Sequence, residues 1–164
     1  MPPGGATWQP QWIWVAGARN PEVPTAAHFR KELTLPANAH IASAYAKVSA
    51  DRVYRLWVNG HLVSRGPADP GNDIIMGTNW SHHWLYNQID LAPYLHTGLN
   101  VIAAEVLTAN MLPSYSLGHP GFALEADVLL TNGPAVNLST GADWKAEAID
   151  AYREGPLGNL CAGA

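Results

Sequence analysis

The chain has 164 residues, 48% of them hydrophobic and only 13% charged, which is one domain's length with apolar surface for a single core. Its formal net charge of −4, with no run of Lys or Arg, excludes the basic stripe that polyanion binding needs, so no nucleic acid is expected as a partner. No apolar run approaches the roughly 18 residues that mark a membrane-spanning helix, so no membrane is expected either.

Gly (15) and Pro (13) are frequent, which favours short strands and turns over long helices. Residues 1–10 form a Pro- and Gly-rich leader with neither the basic nor the apolar region of a signal peptide. An exported form would therefore have lost its signal or carried it upstream. Trp12 to Val15 reads as a short first strand. His28 to Leu35 alternates, with Phe29 and Leu33 or Leu35 set against Arg30, Lys31 and Glu32. Ile41 to Ser49 follows, interleaving small Ala residues with Tyr45 and Val48. In Val53 to Val63 two apolar runs flank Asn59-Gly60, a pair that tolerates positive φ at both turn positions and so predicts a tight hairpin. Alternation places Tyr54, Leu56 and Val58 in the core, and Arg55 and Trp57 on the outer face.

Residues 66–83 form a long polar, Gly-rich connection, and Thr108 to Gly121 form a second. Loops beyond about 12–15 residues are uncommon inside compact domains and are often functional. Between them lie a strand near Leu85–Ile89, one helical turn from Leu91 to Leu95, and a buried strand from Leu99 to Leu107. Phe122 to Leu130 alternates against Glu125 and Asp127, and a last strand falls near Trp144 to Ile149. Residues 11–150 thus read as one all-β domain, a jelly-roll-like antiparallel sandwich of about eight strands with two long loops at one end. Residues 151–164 read as a tail or linker. The lone Cys161 within it fits no disulfide or zinc pattern and is taken as an incidental thiol.

Three stretches resemble the N-terminal β-sandwich domains, galactose-binding-like and lectin-like, of bacterial α-L-rhamnosidases and related glycoside hydrolases. The first is Trp12-Ile13-Trp14 followed by Phe29-Arg30-Lys31. The second is Tyr54 to Gly60 continuing to Arg65-Gly66-Pro67. The third is Asp90 to Leu95 leading to Gly98-Leu99-Asn100-Val101-Ile102-Ala103. Most of these residues maintain the fold: Asn59-Gly60 makes the hairpin, and Leu91, Leu95, Val101 and Ile102 plug one end of the core. The resemblance implies that catalysis resides in a downstream catalytic domain of the same polypeptide, a helical barrel. It implies a secreted or periplasmic protein whose ligand is a mono- or oligosaccharide such as terminal L-rhamnose, held in certain relatives through calcium. A purely structural domain packed on the barrel is the alternative.

No two of the acidic residues are forced together as glycosidase chemistry requires, so no catalytic residue is assigned. Asp69, Asn72 and Asp73 form an oxygen-rich cluster able to supply part of a calcium shell, although turn formation accounts for the same residues. Trp80 offers a ring to stack on the C–H face of a pyranose, with Asn79, His82, His83 and Trp84 beside it. Asn110, Tyr115 and His119 in the second loop are expected to face them across a cleft. Adjacent histidines point opposite ways in extended chain, so His82 and His83 suit a sugar better than zinc.

Overall fold

The computed structural model describes residues 10–16, 25–51, 53–66, 86–108 and 120–149, together with the backbone of 152–154 and 160–162. Alternating side chains define the first strands: β1 (Thr25–Leu35), β2 (Ile41–Ser43), β3 (Tyr45–Ala50), β4 (Val53–Val58), β5 (His61–Gly66) and β6 (Asn87–Asp90). A 3-10 turn at Ala92–Tyr94 leads to β7 (Gly98–Thr108). Then come β8 (Phe122–Leu130), β9 (Val136–Asn137) and β10 (Lys145–Ile149). Past Ala151, where the sequence reads as a tail, β11 (Tyr152–Glu154) pairs with β12 (Leu160–Ala162).

One sheet runs in the order β10-β1-β7-β4-β5, and a second contains β2, β3, β6, β8 and β9. All pairings are antiparallel, and the two sheets form the expected β-sandwich. The long strand expected over Ile41 to Ser49 is broken at Ala44. Its two parts run end to end along β8, β2 opposite Leu129–Leu130 and β3 opposite Phe122–Ala126. At the break the Ala44 carbonyl turns to accept the Leu91 N–H, tying the 3-10 turn to the sheet.

The inner faces meet over aromatic side chains. Phe29 of β1 stacks on Phe122 of β8 with ring centroids 5.2 Å apart, Trp14 packs on Phe29 at 5.6 Å, and Trp144 meets Phe122 edge-on at 5.7 Å. Tyr54, Leu56, Val58, Ile102 and Leu124 are fully buried beside them, each contributing about 1.5–3 kcal/mol by leaving water. Tyr54 and Phe122 are core, as alternation predicts. Gly66 lies against the Tyr54 ring so closely that no Cβ fits there.

Four sequence expectations need correction. Trp12 to Val15 forms a single bridge, Ile13 to Phe122, because this segment caps the core with Trp14. Lys31 shares the inner face with Phe29 and Leu33. It is tolerated there because its ammonium reaches Asp143 at 2.8 Å at the sheet margin. Val101 is half-buried on the outer face, so only Leu91, Leu95 and Ile102 fill the end of the core. Trp144 precedes β10 in a turn, where its indole donates to the Ser139 carbonyl at 3.0 Å.

The β4–β5 hairpin turns as predicted, with φ +50° at Asn59 and +82° at Gly60. The Asn59 side chain does more than turn the chain. Its amide donates to the Tyr94 carbonyl (2.8 Å) and to Asn100 Oδ1 (2.9 Å), and its oxygen accepts from the Val101 N–H (2.8 Å). Fully buried Asn100 in turn accepts from the His96 N–H (2.9 Å). It donates to the carbonyls of His96 (2.7 Å) and Gly98 (3.0 Å). Two asparagines thus join hairpin, 3-10 turn and β7 at one end of the sandwich, and each has a structural task.

Candidate functional site

Strand register decides where the two long connections leave the body. Gly66, the end of β5, pairs with Tyr54, which pairs with Val106 of β7, two residues before Thr108. Asn87, the start of β6, pairs with Val48, and Phe122, the start of β8, pairs with Ala50. Ala50 and Val53 flank the β3–β4 turn, so all four strand ends lie at that turn, opposite the asparagine network. Both long connections therefore attach to one end of the sandwich.

Short polar contacts hold this end together. Buried Asp51, in the β3–β4 turn, accepts the Thr108 hydroxyl at 2.6 Å, and its N–H donates to the Gly121 carbonyl at 3.0 Å. Asn87 Nδ2 donates to the Tyr54 hydroxyl at 2.6 Å and approaches the Arg65 carbonyl at 3.4 Å. The Tyr54 hydroxyl also bonds Ser64 at 3.1 Å. Nothing in the local pattern marks Asp51 as more than a turn acid, yet it is buried. Its position between Ala50 and Val53, which close the loop end, was the available signal.

The sugar-directed residues Asn79, Trp80, His82, His83, Trp84, Asn110, Tyr115 and His119 lie outside the described residues. So do the calcium candidates Asp69, Asn72 and Asp73. Among the described residues no group of three or more His, Cys, Asp or Glu is arranged to hold a metal ion.

The outer faces carry paired charges. On the five-stranded sheet, Glu105 accepts from Arg55 at 2.9 Å and lies 3.4 Å from His28 Nε2. On the other sheet, Lys47 pairs with Glu125 at 3.5 Å and lies over the Tyr86 ring at 5.6 Å. The hydrogen bond from Lys31 holds the Asp143 carboxyl below its ordinary 3.8, against an opposing effect of burial and with help from the Lys31 charge.

This chain matches the family described as the α-L-rhamnosidase N-terminal domain over residues 39–154. The fold is similar to that of Bacillus sp. GL1 GH78 family rhamnosidase, with 28% identity and a TM-score of 0.68 over 92% of this chain and 14% of that one. It is similar to Streptomyces avermitilis α-L-rhamnosidase, solved with L-rhamnose, at 25% identity and a TM-score of 0.59 over 83% of this chain and 12% of that one. A Pleurotus ostreatus lectin solved with GalNAc shares the fold at 18% identity and a TM-score of 0.57, over 85% of this chain and 38% of the lectin. The search of curated proteins found no match. The chain thus spans about an eighth of the bacterial rhamnosidases it resembles.

Proposed function

Because this chain belongs to the α-L-rhamnosidase N-terminal domain family, we propose that it is a non-catalytic carbohydrate-binding module of an exported rhamnosidase-like glycoside hydrolase. It takes L-rhamnose or a similar terminal sugar of a polysaccharide, while a downstream catalytic domain performs hydrolysis. One observation carries the reading: both long connections, whose sequences include Trp80, Trp84, Tyr115, Asn79 and Asn110, attach to a single end of the sandwich. A sugar needs an aromatic plane rimmed by hydrogen-bonding groups, and those two connections carry both. The L-rhamnose bound to the Streptomyces relative makes that sugar the first to test.

In this reading Trp80 supplies the stacking plane, Asn79, His82, His83 and Trp84 surround it, and Asn110, Tyr115 and His119 face them. Titration calorimetry of the 164-residue chain with L-rhamnose should give a Kd near 0.1–1 mM, about 4–5.5 kcal/mol. Trp80→Ala should abolish binding at the loop end while moving the melting temperature by only a few degrees. Normal binding by that variant overturns the assignment of Trp80, and unfolding places the ring in the core.

A specific observation favours the structural alternative. Half-buried Trp57 pairs with exposed Leu62 on the outer face of the five-stranded sheet, and exposed Leu99 lies on β7 of the same face. Such a surface suits packing against a larger catalytic domain, and sugar titrations without heat in wild type would favour it.

A further inference from the structure

The outer face of the second sheet presents a second aromatic plane, far from the loop end. Tyr45 opens β3, five residues from Ala50, so it lies about 16 Å along the strand from the loop end. Tyr45 is 58% exposed. The register sets it beside Asp90 of β6 and, one step beyond the Ala46–Ala126 pair, beside Asp127 of β8. Both carboxylates are exposed, and neighbouring strands stand about 5 Å apart, so the ring lies between two acceptors on one row.

Each carboxylate is held in place before any ligand arrives. Asp90 Oδ1 accepts the Ala92 N–H at 3.0 Å, and Asp127 Oδ1 accepts from Asn137 Nδ2 at 3.0 Å. The next row on the same face adds exposed Gln88, paired with Lys47, and the Lys47–Glu125 ion pair. An exposed aromatic face, two ordered acceptors and an amide within one shallow surface match the needs of a pyranose: its C–H face stacks on the ring while its hydroxyls donate to the carboxylates.

Other occupants fit less well. A polyanion is repelled by Asp90 and Asp127. A protein partner would have to bury both carboxylates at the centre of its contact, where charge is depleted and desolvation is costly. A hydroxyl-rich ligand leaves them hydrated at the rim and still satisfies their free oxygens. We propose that Tyr45, Asp90 and Asp127 form a second glycan-binding surface, separate from the loop end, that takes one neutral sugar ring of a polysaccharide chain.

The test is affinity of the 164-residue chain for neutral rhamnose- and galactose-containing oligosaccharides, read by calorimetry and by amide chemical-shift mapping. Tyr45→Ala should weaken oligosaccharide binding at least tenfold at the Tyr45 surface with an unchanged melting temperature. The same loss should appear in a Trp80→Ala background, which separates this surface from the loop-end proposal. Asp90→Asn with Asp127→Asn should keep most of the affinity, since an amide oxygen still accepts a hydroxyl. Three results overturn the inference: equal binding by wild type and Tyr45→Ala, no shifts around Tyr45 with any oligosaccharide, or a lysine-rich peptide binding there and lost with the two Asp→Asn changes.

Discussion

Replacing Asn100 with Ala removes a side chain that is fully buried and makes four hydrogen bonds of 2.7–3.0 Å, two accepted and two donated. At about 1 kcal/mol net for each bond, the loss comes to about 4 kcal/mol. Asn59 Nδ2 keeps the Tyr94 carbonyl, and water reaches part of the turn, which brings the expected cost to about 3 kcal/mol. For a chain of this size that lowers the melting temperature by on the order of 10 °C. Urea denaturation should show a lower midpoint with an unchanged slope. Asn100→Asp sharpens the test. It retains both acceptor roles but aims a carboxylate at the carbonyls of His96 and Gly98, so at pH 7 it should cost at least as much as Ala. A loss below about 1 kcal/mol for Asn100→Ala would refute the view that this network closes its end of the sandwich.

Two further outcomes are expected. The lowered pKa of Asp143 means that its pairing with Lys31 stabilises the fold above pH 3.8 and that this contribution disappears as pH falls through the lowered value. Asp143→Asn should therefore be less stable than wild type at pH 6 and equal to it near pH 2, by a small margin because the carboxylate is two-thirds exposed; a gap that persists in acid would contradict the pairing. If Asp69, Asn72 and Asp73 bind calcium, millimolar calcium should raise the melting temperature by mass action, and Asp73→Ala should abolish the rise. An unchanged melting curve in wild type would leave the three as turn formers.

Much of the sandwich could be read from period-two alternation, because a strand with one buried face writes that face into every second residue. Tyr54, Leu56 and Val58, and Phe122, Leu124, Ala126 and Val128, are all buried as the rule requires, although Ala123 between them is buried as well. Where tertiary contacts decide, alternation misleads. Lys31 sits inward because Asp143 waits at the sheet margin, and β2 parts from β3 because the Ala44 carbonyl serves Leu91. β9 is two residues long, too short to show a period, and depends on pairing with Asp127 and Val128. The length of the two connections was legible, and register then brought their ends together. Alternation marks Tyr45 only as a strand residue, although it shares the parity of Lys47, which is the outward one. Its role depends on Asp90 and Asp127, which no local pattern places beside it.

The asparagine network has a consequence for how such a domain diversifies. It concentrates the hydrogen bonds that fix the hairpin, the 3-10 turn and β7 at the end remote from the two long connections. Mutational robustness is thereby lodged in one pole, and at the other only the contacts of Asp51, Thr108, Asn87 and Gly66 must be kept while the connections between them change. A lineage can exchange the chemistry of its recognition pole by insertion or replacement while inheriting the same frame, and a designer grafting new connections onto it would keep Asn59 and Asn100, together with Asp51, Asn87 and Gly66 where the connections attach, and vary the connections.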